Sequence, residues 1–333
     1  MPKRLTLTEI AALSGVSRQV VSAVVNPDRC GTVRYSKQTS ERVQAIVGRT
    51  GFRLNRTARN LVRNRHGCLG ILIREYGLVW GDTLRHILAA AHDNGQVVVL
   101  DYLPDNPAEM PSIVKEDAVD GILLFEDIDG GVLAAVDRLG VPCVRINTNA
   151  RTVPGAITFD ELGAMRMAVD HFVARGRRTL AICVGSGGHY SQRLRKKGFQ
   201  LAARAAGLAP VSTVFLDRSP AATQPRQQEY ELERLLTKRP DIDAVVLTQD
   251  RMAPHFYRCA ARLGRRIPGD IAVIGVNNSP VAQAVTPELT SLYVKSEEVG
   301  TRAVQMLNDQ IRSGDGRGGH GTCAYHLIQR DST

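Results

Sequence analysis

Arg18 and Gln19 stand side by side at the start of a short apolar-periodic segment, directly after Ser17. Long side chains with multiple hydrogen-bonding groups at a helix start suit the reading of base edges in the DNA major groove. Other chemistry finds little support in the spacing of the residues. The glycine-rich stretch Gly185-Ser186-Gly187-Gly188-His189 is neither a G-x-S-x-G nucleophile elbow nor a phosphate loop ending in Gly-Lys-Ser/Thr, and reads as a loop beside a cleft. The eight histidines form no H-x-x-x-H pair, and His171 reads as a helix-surface or packing residue. The six cysteines, Cys30, Cys68, Cys143, Cys183, Cys259 and Cys323, form no C-x-x-C pair and read as reduced, mostly buried thiols. The expectation is a protein that is not an enzyme and uses neither a metal nor a cofactor.

Two short helices about a glycine must position Arg18 and Gln19. In Leu7 to Ser14, Ile10, Ala11 and Leu13 supply an apolar face, Thr8 is the expected N-cap, and Gly15 supplies the tight turn that follows. Ser17 caps the second helix, whose Val20, Val21, Val24 and Val25 recur at helical spacing, so that Ala11, Val16 and Val21 meet as a small core. This arrangement leaves Arg18, Gln19 and Ala23 facing outward. A third helix starts at Ser36 and turns Val43, Ile46 and Val47 toward the other two, with Gly51 at its end. The loop between them carries Arg29 and Arg34, which fit either phosphate contacts or a solvated surface.

Charge singles out the same region. Residues 1–66 contain thirteen Lys and Arg against three acids, and the whole chain carries a net +10, so residues 67–333 are neutral as a block. Segregated charge of this kind implies a polyanionic partner for one end of the chain only. No run approaches the length needed to span a bilayer, and no apolar stretch follows Lys3 and Arg4 before Glu9, so neither a membrane segment nor an export signal is expected and the cytoplasm is the expected compartment.

Beyond residue 66, short apolar strands such as Leu69–Ile73, Val97–Leu100, Gly121–Phe125 and Pro142–Ile146 alternate with amphipathic helical stretches, and a second series follows from Glu161 to Val276. Such alternation implies doubly wound parallel sheets in two lobes with a cleft between them. The fold class is therefore α/β, an N-terminal all-α helix-turn-helix domain joined to a bilobed parallel-sheet core.

The pattern T-L-x-x-I-A-x-x-x-G-V-S-x-x-x-V-S-x-V-x-N from Thr6 to Asn26, followed by N-R-x-A-R-x-L from Asn55 to Leu61, resembles the lactose-repressor and galactose-repressor family of bacterial transcription regulators. Further resemblance lies in Ser191-x-Arg193-x-Arg195-x-x-Gly198-Phe199, Pro268 to Gly275, Pro287-x-Leu289-Thr290 and Ile328-x-Arg330-x-Ser332-Thr333. It spans nearly the whole chain and implies a core similar to periplasmic sugar-binding proteins, with domains at 1–52, 53–66 and 67–333. The first lobe is expected over 67–159 and 293–322, the second over 160–292 and 323–333.

The resemblance also implies that 53–66 is a hinge helix that folds on operator binding, with Asn55 on the DNA backbone, Ala58 at the contact between paired hinges and Leu61 wedged into a central base step. An apolar wedge replaces the base stacking that minor-groove kinking removes. The expected DNA-contacting set is Thr6, Ser17, Arg18, Gln19, Ser22, Ala23, Asn26, Arg34, Ser36, Thr39, Asn55, Ala58 and Leu61. Family members commonly carry arginine where this chain has Ala23, so only methyl contact is expected there and the half-site should differ.

For the cleft, Arg195 aligns with the effector-binding arginine of the family, Asn147 and Asn277 stand where sugar-binding members place acids, and Gln249-Asp250 replaces an Asn-Asp pair. Trp80 fits either stacking on a ligand ring or packing, and Tyr76, His189 and Tyr190 share that ambiguity. These exchanges make the cleft less acidic, which leaves room for an anionic effector beside a neutral sugar. Double-stranded operator DNA, a sugar, sugar-acid or sugar-phosphate effector and a second copy of the chain are the expected partners. The alternatives are a solute-binding protein without regulatory DNA binding and a regulator whose pocket has lost its ligand.

Overall fold

The computed structural model describes residues 5–25, 33–53, 65–73, 81–103, 106, 109–125, 130–149, 155–185, 189–208, 212–216, 225–314 and 318–333. Contacts divide the chain into two units, Met1–His66 and Gly67–Thr333.

In the first unit, α1 (Leu7–Ser14), α2 (Arg18–Val25) and α3 (Lys37–Thr50) enclose a core of Ile10, Ala11, Val21, Val24, Val43 and Ile46, against which Val16, Val20, Val47 and Phe52 pack. The cap of α1 is Thr6 rather than Thr8: Thr6 Oγ1 accepts from Glu9 N at 3.2 Å, and the Glu9 carboxylate accepts from Thr6 N at 2.7 Å. This reciprocal box satisfies donors at both ends of the first turn, which a cap two residues later could not do for Thr6. Gly15 closes the helix in the left-handed region at φ 64°, donating to Ala11 and Ala12 carbonyls, a conformation that costs glycine nothing. Leu13, expected in the apolar face, is 55% exposed, and Ser14 is buried in its place with its hydroxyl donating to Ile10 O at 2.6 Å. Ser14 lies one full turn after Ile10, whereas Leu13 has rotated away from the face that Ile10 and Ala11 define. Ser17 and Ser36 cap α2 and α3 by accepting from Val20 N at 3.3 Å and Thr39 N at 3.1 Å.

Among the described residues, the second unit holds two six-stranded sheets. Its elements are β1 (Cys68–Ile73), α4 (Gly81–Asp93), β2 (Val97–Tyr102), α5 (Ser112–Lys115), β3 (Gly121–Phe125), α6 (Gly130–Arg138), β4 (Cys143–Ile146), β5 (Ala156–Phe159), α7 (Glu161–Ala174), β6 (Leu180–Gly185), α8 (Tyr190–Ala205), β7 (Ser212–Leu216), α9 (Pro225–Lys238) and β8 (Ala244–Leu247). A 3-10 turn (Asp250–Met252), α10 (Ala253–Arg262), β9 (Ala272–Val276), α11 (Pro280–Ala284), β10 (Thr290–Val294), α12 (Ser296–Ser313), β11 (Gly321–Cys323) and β12 (Tyr325–Ile328) complete it. The strand orders are β11-β5-β4-β3-β1-β2 and β12-β10-β9-β8-β6-β7, all parallel except β10 with β12. Strands β3, β8 and β9 are buried along their whole length, as parallel sheets covered on both faces require.

The chain passes between the sheets after β5, after β10 and between β11 and β12. The second passage follows Val294 and the third follows Cys323, so both fall slightly later than the expected lobe boundaries at 293 and 323. Strand pairing decides these positions: Val294 is still bonded within the second sheet and Cys323 within the first. In each sheet the order reverses beside the first strand of its series, β1 against β3 and β6 against β8, the place where doubly wound sheets bind ligands at the carboxyl ends of their strands.

Candidate functional sites: a nucleic-acid interface and an interlobe cleft

The core of the first unit holds Val21 and Val24 of α2 inward, and Ser17, Arg18 and Gln19 at its N-terminal end are exposed. This is the end that a reading helix offers to base edges. Ser22 is half-buried, and Thr6, Arg34 and Ser36 are exposed with Thr39 half-buried. The Ser17 and Ser36 hydroxyls each accept a capping bond, and the Ser36 hydroxyl also shares a hydrogen bond with the Thr39 hydroxyl at 2.9 Å.

Ala23 departs from expectation. It is 2% exposed and offers no surface to a thymine methyl or any other base group. A single methyl does not rise above longer side chains one turn before it on the helix, here Gln19 and Val20. Asn26, Asn55, Ala58 and Leu61 lie outside the described residues, as does Trp80.

In the second unit, Asn147 follows β4 and Asn277 follows β9, each with a positive φ, 59° and 107°. Asn147 N donates to Ile157 O of β5 at 2.8 Å, and Asn277 N donates to Leu292 O of β10 at 2.7 Å. Since β5-β4 and β10-β9 are neighbours at the same place in the two strand orders, the two asparagines are corresponding residues of the two lobes. Non-glycine residues held at positive φ mark places where the surroundings override local preference, as binding sites do. The side-chain amide of Asn277 makes no hydrogen bond among the described residues, whereas Asn147 Oδ1 accepts from Tyr190 OH at 2.9 Å.

Arg195 lies on α8 and is 4% exposed. Its Nε donates to Glu161 Oε2 at 2.7 Å, Nη2 to Glu161 Oε1 at 3.1 Å and to Tyr325 OH at 2.8 Å, and Nη1 to Thr248 O at 2.7 Å. Tyr325 OH in turn donates to Glu161 Oε1 at 3.1 Å. Burial opposes the guanidinium charge, but Glu161 and Tyr325 outweigh it and hold its pKa above the ordinary value. Burial, with Glu161 adding to it, likewise pushes the Tyr325 hydroxyl well up against the opposing pull of Arg195. The positive charge expected to meet an effector is therefore matched by a buried carboxylate on the same chain. Glu161 opens α7 just after the first passage between sheets, and Tyr325 opens β12 just after the third, so Arg195 ties both passages to the second lobe. Sequence reading missed Glu161 and Tyr325 as its partners: they are 34 and 130 residues away from it.

Gln249 is half-buried, and its Oε1 accepts from Arg251 Nε at 2.5 Å. Its neighbour Asp250 is buried and accepts from Ser279 N at 2.6 Å and Ser291 Oγ at 2.7 Å. Burial pushes the Asp250 carboxyl up to about 6, against the lowering effects of Ser291, Ser279 and Arg330. Arg330 Nη2 donates to Asn278 Oδ1 at 2.6 Å, which secures the loop beside Asn277 from the end of the chain. Among the described residues no group of three or more His, Cys, Asp or Glu side chains is placed to hold a metal ion. No helix among them is long and apolar enough to cross a membrane.

Residues 169–333 match the family model of the periplasmic binding protein-like domain. The chain is 27% identical to the HTH-type transcriptional regulator CelR of Thermobifida fusca, over 99% of this chain and 98% of the relative. It is 24% identical to the lactose operon repressor of Escherichia coli K12, over 99% of this chain and 91% of the relative. Among solved structures, the Lac repressor dimer bound to operator and the anti-inducer ONPF superposes with a TM-score of 0.81 at 23% identity, covering 99% of both chains. The complex of the regulator CelR with cellobiose superposes with a TM-score of 0.70 at 25% identity, covering 99% of this chain and 100% of that one. Together with the three-helix unit, the two parallel sheets and the three passages of the chain between them, these likenesses make the chain similar over nearly its whole length to transcription regulators of the lactose-repressor and galactose-repressor type.

Proposed function

We propose that this protein is a dimeric, sequence-specific DNA-binding repressor of the cytoplasm whose operator affinity is set by a sugar-like effector bound between the lobes of residues 67–333. The observation that carries this reading is the exposed Ser17-Arg18-Gln19 end of α2, backed by a packed core and set in the segment that holds the whole net charge. Arg18 and Gln19 read bases, Arg34 and the hydroxyls of Thr6, Ser17, Ser22, Ser36 and Thr39 meet phosphates, and 53–66 acts as a hinge with Leu61 as its wedge. Relatives that are transcription regulators rather than enzymes support the absence of a catalytic role.

The effector reading rests on Asn147, Asn277 and Gln249. Because Glu161 already matches the Arg195 charge, an uncharged polyhydroxyl ligand fits the described residues better than a carboxylate or phosphate. The CelR complex contains cellobiose, a ligand of that class. A second copy of the chain fits the exposed apolar side chains of Leu88 on α4 and Val97, Leu100 and Tyr102 on the edge strand β2. An edge strand with such residues is otherwise a liability.

The test is selection of duplexes from a random pool by the full chain, followed by fluorescence anisotropy against the selected sequence. Removal of residues 1–66 should abolish binding, and retained affinity would refute the assignment. A thermal-shift screen of neutral sugars, aldonates and sugar phosphates then reads the effector class; a ligand at about 100 times its Kd adds roughly 2.7 kcal/mol.

A further inference from the structure

Two residues from opposite lobes meet where an effector would be expected to join them. Asn147 stands at the end of β4 in the first lobe, and Tyr190 opens α8 in the second. They are 8% and 4% exposed, and the phenol donates to Asn147 Oδ1 at 2.9 Å. Both ends of the bond are held before it forms. Asn147 is fixed by its left-handed backbone and by its N–H on Ile157 O. Tyr190 is fixed at the start of α8, its ring 4.7 Å from that of His189, whose Nδ1 in turn meets Ser191 Oγ at 2.7 Å. A bond between two such preorganised groups recovers its full strength, since little rotamer freedom is lost in making it.

We propose that Tyr190 is an internal ligand of the cleft, a latch that holds the two lobes together when no effector is present. The proposal rests on the reading of the cleft as an effector site and deepens it: the phenol fills one acceptor position on Asn147 Oδ1 that an effector hydroxyl would otherwise use. The neighbouring polar groups point the same way, because Arg195 is closed on Glu161, Tyr325 and Thr248 and Gln249 on Arg251. Of the aligned cleft residues that the structure describes, Asn277 alone keeps its side-chain amide without a hydrogen bond among the described residues. The contact between the lobes at this point is therefore made by the chain's own groups, and a ligand that reaches Asn147 Oδ1 acts by displacing the phenol.

Hydrogen exchange of the full chain, without ligand, tests this. Tyr190→Phe removes one oxygen and keeps the ring, and Asn147→Ala removes the acceptor; circular dichroism confirms that each variant is folded. The expected result is a roughly five- to tenfold faster exchange of the segments 145–149 and 189–192 in either variant, no faster in the double variant, with β3 and β8 unchanged. Asn147→Asp, which keeps an acceptor, restores slow exchange. Unchanged rates, effects of the two substitutions that multiply, or acceleration spread evenly over 67–333 would each overturn the latch. No ligand enters the experiment, so its failure is separate from a failure of the effector screen, which bears on the reading of the cleft.

Discussion

Arg195 and Glu161 face each other through two parallel hydrogen bonds, Nε to Oε2 at 2.7 Å and Nη2 to Oε1 at 3.1 Å, with both side chains sealed from solvent. The pair sits where the second lobe receives the first passage of the chain. Its energetics follow from burial: two charges removed from water need each other, and neither tolerates the loss of its partner.

Glu161→Gln should therefore lower the unfolding free energy by about 3–5 kcal/mol, because the Arg195 guanidinium stays buried without a counter-charge. Tyr325→Phe, which keeps the edge contact of the ring with Phe159 and removes one shared hydroxyl, should cost only about 1–2 kcal/mol. Urea unfolding of the three proteins checks the order. A Glu161→Gln protein as stable as the original would mean that the pair contributes nothing net.

The pH dependence of stability carries a second signature. The Asp250 carboxyl is raised from 3.8 to about 6 in the folded protein, so below pH 4 it is protonated in both states and its contribution is fully present. As the pH rises from about 4 to about 6, the unfolded chain loses this proton first and the folded state becomes relatively less stable, by an amount on the order of 3 kcal/mol above pH 6. Asp250→Asn should flatten this slope. Thermal melts of both proteins between pH 4 and pH 7 compare them, and parallel curves would exclude Asp250 as the source.

Gly275 lies in β9 against the same carboxyl. A Cβ there would collide with Asp250 Oδ1 and come within 2.5 Å of Leu289 Cδ2, and the carboxylate is held by Ser279 N and Ser291 Oγ. Gly275→Ala should therefore destabilise by about 1–3 kcal/mol, the usual cost of overpacking a filled interior. Gly48→Ala, at a position with open space around it, serves as the control and should be neutral or mildly stabilising. Equal melting temperatures for the two variants would contradict the contact.

On DNA, Arg18→Ala and Arg34→Ala should fail differently. Loss of a base reader costs about 1–3 kcal/mol on the selected sequence and relaxes preference at one position, whereas loss of a phosphate contact weakens all sequences alike and lowers the salt slope by about one. Anisotropy titrations at several salt concentrations, on selected and scrambled duplexes, separate the two. If Arg18→Ala weakened both duplexes equally, its role as a reader would be lost.

The sequence by itself determined the local and periodic features. The basic head, the glycine between α1 and α2, the serine caps and the apolar runs of the parallel strands are read over a few residues, because capping, turn geometry and burial on both faces act at that range. Even there, the choice of Thr6 over Thr8 and the burial of Ser14 in place of Leu13 depended on which side of α1 met the core. The return strands β10 to β12 and helix α12 went unread, since their place is set by pairing with strands far away in sequence. The cleft was legible as a set of residues, Asn147, Arg195, Gln249 and Asn277, and not as a set of contacts. Only the tertiary structure decided that Ala23 is covered, that Arg195 closes on Glu161 and Tyr325, and that Tyr190 reaches Asn147 across the lobes. A side chain carries its donors and acceptors wherever the chain goes, but the partner that satisfies them is chosen by passages of backbone that bring distant segments together.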